Sequence, residues 1–250
     1  MPNSTYAFIP ARSGSSGIAD KNLQKISGTS LIKRTFDHAI ESDIFKKIVV
    51  STDSFQIISE ITNDLSHHEF NQIKEDSLIE ISSKTIFHKR RKDQAEKLSP
   101  IRDVVFDLAN IIEFTQIWML QPTSPFREKS EFTALNNLQK NLTAEKKNWS
   151  SIVSCKLVNE HPDRMYKLNG AFMTHYTEQL MGDNAPRQLL EKLYVKDGGF
   201  YVLKRDYLLR KIFLGAQSVA FIRQGLKTIN IDEPTDLFMA QLIGERLNEN

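Results

Sequence analysis

Phe8-Ile-Pro-Ala-Arg-Ser-Gly-Ser-Ser-Gly-Ile-Ala-Asp-Lys-Asn22 is the stretch from which the rest of the chain can be read. The apolar run from Tyr6 to Ile9 stops at Pro10, and six of the next seven residues are small or flexible. A buried strand that runs into a Gly/Ser loop presents backbone N–H groups with no side chains in the way, a concave site for an anion. Arg12 and Lys21 set two full positive charges beside it, and Asn22 adds an amide. The loop lacks the Gly-Lys-Ser/Thr ending of a Walker A loop and the Gly-x-Gly-x-x-Gly of a dinucleotide fingerprint. The expectation is a cradle for a polyphosphate, in a chain that handles a nucleoside triphosphate.

Outward from that loop, Leu31, Ile32, Phe36, Ala39 and Ile40 fall at helical spacing and predict a helix over residues 30–41. Lys47 to Asp53 predicts a short buried strand with a polar end, and Phe55 to Leu65 a second helix. This strand–helix rhythm marks a parallel sheet with helical crossovers, whose ligands sit beyond the carboxyl ends of the strands. Residues 64–98 are polar and carry the pair His67 and His68, read as surface residues, and the basic run His88-Lys-Arg-Arg-Lys after a short strand, Lys84 to Phe87. Ser99-Pro100 predicts a helix start, with Ser99 as its N-cap. Gln116 to Leu120 is apolar on both faces and reads as the central strand, ending in the turn Gln121-Pro-Thr-Ser-Pro-Phe-Arg127. A helix near 130–139, a charged loop at 140–149 and a strand at Ser151 to Cys155 follow.

From residue 156 the pattern changes. Asn169-Gly170 predicts the tight turn of a hairpin, so residues 156–196 read as an antiparallel excursion. Gly198 to Leu203 returns to a strand, on which Phe200 and Tyr201 alternate, so that one of the two should leave the core. A short helix at Asp206 to Phe213, strands at Val219 to Ile222 and Lys227 to Ile231, and a helix at 234–247 complete the chain.

Composition narrows the function classes. The 250 residues carry 33 basic and 31 acidic side chains, a balance that argues against a nucleic-acid binder driven by bulk charge. The single cysteine, Cys155, excludes a disulfide framework or a Cys-based zinc site. No signal-peptide pattern opens the chain, and no apolar run approaches the roughly 18 residues of a membrane span. A cytoplasmic protein with no membrane partner is the expectation. Asp232 reads either as a cap for the helix that follows or as an oxygen ligand for Mg²⁺. Arg187 and Tyr201 read either as surface residues or as contacts to an anionic ligand.

Four separated segments occur in order: Ile9-Pro-Ala-Arg-Ser-Gly-Ser-Ser-Gly with Lys21-Asn22, Val50-Ser-Thr-Asp53, Leu120-Gln-Pro-Thr-Ser-Pro-Phe-Arg127 and Ile229-Asn-Ile-Asp232. Together they resemble the acylneuraminate cytidylyltransferase family, which includes CMP-sialic acid synthetases and their legionaminate and pseudaminate relatives. The resemblance spans about residues 6–240 and implies one Rossmann-like α/β nucleotidyltransferase domain over residues 1–250. Its sheet would be mostly parallel, with 156–196 as a small antiparallel arm for dimerisation and sugar binding. It implies a Mg²⁺-dependent transfer of CMP from CTP to a nonulosonic acid, a nine-carbon 2-keto sugar acid, with release of pyrophosphate by a cytoplasmic homodimer. Arg12 and Lys21 would be catalytic. The nucleotide would be held by Ala11, Arg12, Ser13, Gly14, Lys21, Asn22, Gln121 and an arginine after the third strand, Arg90 or Arg91. The sugar would meet Gln121, Arg164, Arg187 and Tyr201, and Asp232 would bind the metal.

Three departures from the family pattern set the alternatives. Ser16 stands where the family has a lysine, and Asn230 where it often has a second aspartate. Residues 90–100 break the Arg-Pro-…-Leu-Ala-x-Asp pattern, whose carboxylate would fall near Glu96 or Lys97. A cytidylyltransferase for a different anionic acceptor, or a diverged nucleotide-sugar-binding protein with little catalysis, are the competing expectations.

Overall fold

A computed structural model describes residues 4–14, 17–177 and 186–248, and the side chains of all these except Arg187 and Asn248. β1 (Thr5–Pro10) runs between β4 (Lys47–Thr52) and β7 (Gln116–Met119), parallel to both. β4 pairs in parallel with β6 (Thr85–Lys89), and the short β5 (Leu78–Glu80) closes that edge antiparallel to β6. On the other side β11 (Tyr194–Lys204) enters antiparallel between β7 and β8 (Ser151–Leu157), and β12 (Ser218–Ile222) lies parallel to β8 at the far edge. The eight-stranded order β12-β8-β11-β7-β1-β4-β6-β5 is the mostly parallel α/β sheet expected of a nucleotidyltransferase. Among the described residues no helix is long and apolar enough to cross a membrane.

Helices cover both faces because the inner strands are apolar on both. α1 (Leu31–Ser42) is capped by Ser30, whose hydroxyl accepts the Lys33 N–H. With α2 (Phe55–Ser59), α3 (His67–Gln72) and α6 (Lys129–Ala144) it buries Ile32, Ala39, Ile58, Phe70, Phe132 and Leu135 against one face. α5 (Ile101–Ile111) and α7 (Arg205–Leu209) bury Val104, Val105, Leu108 and Leu208 against the other. α8 (Pro234–Asn248) crosses the small ladder of β2 (Lys25–Ile26) and β3 (Thr29–Ser30). There Ile18, Ile26, Leu31, Phe126, Ile231, Ala240 and Ile243 form a third cluster, which pins the opening loop against the segment before α8.

Several expectations need correction. The helix predicted to reach Leu65 ends at Ser59, and α3 begins after a new cap in which Ser66 and Glu69 satisfy each other's backbone N–H groups. Its His67 packs on Phe55 at the surface. Ser99 does not cap α5: Pro100 holds that position and the Ser99 hydroxyl turns back to the Asp93 carbonyl. Residues up to Ala144 are helical rather than loop. The segment 227–231 is not a strand, because a 3-10 turn at Leu226–Thr228 interrupts it. Phe200 and Tyr201 are both buried, since β11 sits inside a sheet covered on both faces. The hairpin of β9 (Tyr166–Asn169) and β10 (Phe172–His175) forms, but Asn169 pairs with Phe172, so the turn is Gly170-Ala171 with φ +61 at Gly170.

Candidate nucleotide site

Strand ends deliver the site to one rim. Beyond β1 the Ala11 N–H continues the ladder by donating to the Ser51 carbonyl at 2.9 Å, which buries Ala11. Ser13 is tied down by Asp53, which accepts its backbone N–H at 2.7 Å and its hydroxyl as well. Arg12 folds across the loop, its Nη1 donating to the Gly14 carbonyl at 2.7 Å and the Ala95 carbonyl at 3.2 Å. Asn22 donates to the Arg12 carbonyl at 2.9 Å. Lys21 is buried, and its Nζ donates to the Ile231 carbonyl at 2.9 Å and stands 3.3 Å from Asp232 Oδ1. The loop and the late segment meet so closely that a Cβ on Gly17 would lie 2.5 Å from the Asp232 carbonyl oxygen. Only glycine fits there.

These contacts enclose a cavity of about 430 Å³ lined by Arg12, Lys21, Asn22, Arg90, Gln121 and Asp232, together with Pro10, Gln94, Ser99, Ile101, Pro122, Thr123 and Asn230. Six of the expected residues therefore share one wall-to-wall site. Ser13 and Gly14 line a smaller recess on the other side of Arg12 and Asn22, so they shape the loop from behind. Ala11 contributes backbone alone, its side chain being fully buried. Ser16 lies outside the described residues.

The two adjacent arginines separate cleanly. Arg90 is buried in the cavity wall, where Ser51 accepts from its Nε and Nη2 at 3.2 and 3.1 Å. Burial pulls its pKa down to about 10, against the opposing pull of Asp53, so it stays charged at neutral pH. Arg91 points the other way into ion pairs with Asp76, Asp93 and Asp107, and lines a neighbouring cavity of about 1030 Å³. That larger space adjoins the first through Gln94 and Ser99. Neither Glu96 nor Lys97 lines either space, whereas Gln94 lines both.

Gln121 is held from its backbone: its carbonyl accepts Arg127 Nη2 at 2.7 Å. Its side chain closes on Gly198, where a Cβ would come within 2.8 Å of Gln121 Oε1 and 3.0 Å of Asn230 Oδ1. Asn230 donates from Nδ2 to Asp232 at 2.6 Å, while its Oδ1 is buried without a partner. Asp232 on the cavity wall and the orphaned Asn230 oxygen are both hard oxygen donors, the chemistry that suits a Mg²⁺ ion taking its other ligands from phosphate and water, although Asn230 turns Nδ2 rather than Oδ1 toward the carboxylate.

The described sugar-side residues do not gather on one cavity. Arg164 lines a separate cavity at the base of the hairpin with His161, Gln188 and Leu193. Arg187 opens a 3-10 turn, and its side chain lies outside the described residues. Tyr201 packs on Phe213 inside the second core layer rather than in the nucleotide cavity, and burial pushes its hydroxyl up to about 12.

Sequence reasoning missed the charges beneath the site. Arg223 is fully buried and donates to Asp197 at 2.9 Å, to Glu131 at 2.8 and 3.1 Å, and to the Phe126 carbonyl at 2.6 Å. Asp197 also accepts from the Ser154 hydroxyl and the Gly199 N–H. Arg127 bonds the Gly199 and Gln121 carbonyls, and burial, reinforced by the Arg223 charge, pulls its pKa down to about 9. This network ties the Gln121–Arg127 turn to the bulge at Gly198-Gly199. The two ion pairs of Arg223 span 26 and 92 residues, so no local spacing reveals them.

Known proteins resemble this chain in sequence and in fold. The chain is 27% identical over 249 residues to the N-acylneuraminate cytidylyltransferase of Escherichia coli O18:K1:H7, covering 99% of this chain and 54% of the relative. A CMP-N,N'-diacetyllegionaminic acid synthase of Legionella pneumophila is 32% identical over 127 residues, 49% of this chain and 47% of its own. The chain thus spans about half the length of these curated relatives. A solved CMP:2-keto-3-deoxy-manno-octonic acid synthetase complexed with CTP shares the fold at 14% identity and a TM-score of 0.61, over 98% of this chain and all of that one. The sequence model described as cytidylyltransferase matches residues 6–245, and the chain accordingly belongs to the cytidylyltransferase family.

Proposed function

We propose that this protein transfers CMP from CTP to a sialic-acid-like nonulosonic acid and releases pyrophosphate. The observation that carries the proposal is the convergence of Arg12, Lys21, Arg90, Gln121 and Asp232 on one cavity of about 430 Å³ at the carboxyl ends of parallel strands. In the proposed reaction the anomeric hydroxyl of the acceptor attacks the α-phosphorus of CTP. The P–O bond to pyrophosphate breaks as the new one forms, the pyrophosphate takes the electron pair, and the proton of the hydroxyl passes to solvent. Arg12, Lys21 and the N–H groups of the opening loop neutralise charge that grows on the phosphate oxygens. Mg²⁺, held by Asp232, would supply further positive charge to the triphosphate. Arg90 would face the cytosine, and Gln121 would bridge nucleotide and sugar. The adjoining cavity of about 1030 Å³ would give an acceptor room, and of its cations Lys196 faces it outside the ion pairs that Arg91, Arg102 and Lys211 make with Asp93, Asp103 and Asp107.

The separation of Arg164 from the cavity is what a shared site requires. Leu168, Phe172, Met173 and Tyr176 leave the hairpin with an exposed apolar face, and a second copy of this chain is the proposed occupant. One protomer's arm would then carry Arg164 to its partner's pocket. Mixing two inactive chains, Lys21→Ala and Arg164→Ala, tests this. Mixed dimers have one intact site in the swapped arrangement, so turnover should recover to about a quarter of wild type by random pairing. No recovery from folded, dimeric mixtures would contradict the arrangement.

A further inference from the structure

Ser51, His88 and Asp76 form a chain of hydrogen bonds that ends on Arg90. Ser51 Oγ accepts from Arg90 Nε at 3.2 Å and lies 2.9 Å from His88 Nδ1. His88 Nε2 lies 3.3 Å from Asp76 Oδ1. Ser51, His88 and Arg90 are buried, whereas Asp76 stands at the sheet edge, one third exposed.

One arrangement of protons satisfies every atom. A carboxylate only accepts, so His88 carries its proton on Nε2, toward Asp76. Nδ1 is then an acceptor and takes the hydroxyl proton of Ser51. The Ser51 oxygen is left to receive Arg90, which only donates. An Asp–His–Ser order on an accessible serine would suggest a nucleophile. Here Ser51 is fully buried and already engaged by Arg90, so the chain holds a side chain in place rather than attacking anything.

We infer that Asp76, His88 and Ser51 are positioning residues of the nucleotide pocket, fixing Arg90 in the one orientation in which its Nη1 faces the pyrimidine. The inference rests on the nucleotide reading above and goes beyond it to base selectivity. Two features support it besides the distances. Asp76 takes a left-handed backbone, φ +63, and is locked there by its N–H on the Lys89 carbonyl at 2.8 Å. Arg90 Nη1 has no hydrogen-bond partner among the described residues, so its protons are available to a ligand. Burial also keeps His88 neutral down to about pH 4, the form the chain requires.

The consequence is discrimination between pyrimidines. Cytosine offers acceptors at O2 and N3, whereas uracil carries a proton at N3. A guanidinium held in one place donates to cytosine N3 and is opposed by the proton on uracil N3, while one free to swing discriminates less. Arg91 pairs with Asp76 Oδ2, the oxygen turned away from His88, so Arg91→Ala is the control that removes a neighbouring charge while leaving the Asp76–His88 contact in place.

Steady-state kinetics with CTP and UTP, together with melting temperatures, test the inference on Ser51→Ala, Asp76→Ala and Arg91→Ala. Ser51→Ala and Asp76→Ala should each raise the KM for CTP about tenfold and lower the preference for CTP over UTP about as much, with kcat within about twofold of wild type. Arg91→Ala should leave that preference unchanged. Asp76 is partly exposed, so its variant keeps the test decisive if Ser51→Ala does not fold. Unchanged KM and base preference in a folded Asp76→Ala or Ser51→Ala chain would overturn the positioning role. A wild-type chain indifferent to CTP and UTP would overturn the nucleotide reading, and this inference with it.

Discussion

Gly198 shows how little room the site leaves at the scale of one residue. Its φ of +76 already disfavours a side chain, and a Cβ there would press on Gln121 Oε1 and Asn230 Oδ1. Gly170, at φ +61 in the hairpin turn, has open space where its Cβ would go. Alanine at either position should cost about 1–2 kcal/mol in backbone strain. Only Gly198→Ala should also displace Gln121, lowering kcat/KM for CTP by at least about tenfold. Thermal melts and kinetics on the two variants check this, and equal kinetics would contradict the contact. Arg12 and Gln121 were legible in the sequence because they follow the ends of β1 and β7, and strand ends gather on one rim; Lys21 and Asn22 came with the same loop, whereas Asp232 ends no strand and was marked by the resemblance. Arg90 and Arg91 were not separable by sequence, since neighbours on an extended chain point to opposite sides and neither side is marked. Tyr201 misled for a related reason: alternation predicts one exposed face only where the sheet has one, and β11 has none.

At the scale of elements, the turn after β7 and the bulge in β11 are held by the buried charges of Arg127, Arg223, Asp197 and Glu131. A buried pair is a weak source of net stability, because desolvation opposes the attraction, yet removing one partner strands the other. Arg223→Met should therefore destabilise the fold by about 3–5 kcal/mol. Adding Asp197→Asn should recover part of that loss, since the stranded carboxylate is gone. Urea denaturation of the single and double variants measures both effects; a double variant no more stable than the single one would contradict the account. The helices with clear spacing and caps were readable, α1 above all. What failed were the elements set by distant partners. Thr228 and Ile231 looked like a strand by composition, but the first accepts a 3-10 turn and the second packs on the opening loop under α8.

For the whole molecule, the βα rhythm of the first 120 residues was enough to predict a mostly parallel sheet, because crossover helices and doubly buried strands carry their own patterns. The antiparallel insertion of β11 between β7 and β8 and the edge strand β5 carry no such mark, as pairing partners are chosen by the sheet and not by the strand. The same limit applies to the sugar side. Arg164 and the nucleotide cavity are apart in this chain, and the second copy proposed to join them would leave no mark in spacing along the sequence.

The central claim is that this rim is a CTP-to-sugar-acid transfer site. The most direct measurement is pyrophosphate release by the full chain from CTP and Mg²⁺, with and without a panel of nonulosonic acids, repeated with Lys21→Ala. The account predicts release that depends on a nonulosonic acid and falls at least about 100-fold in Lys21→Ala, as expected for the loss of a cation that stabilises the transition state. Binding of CTP with no acid in the panel supporting turnover, or full turnover in Lys21→Ala, would contradict it.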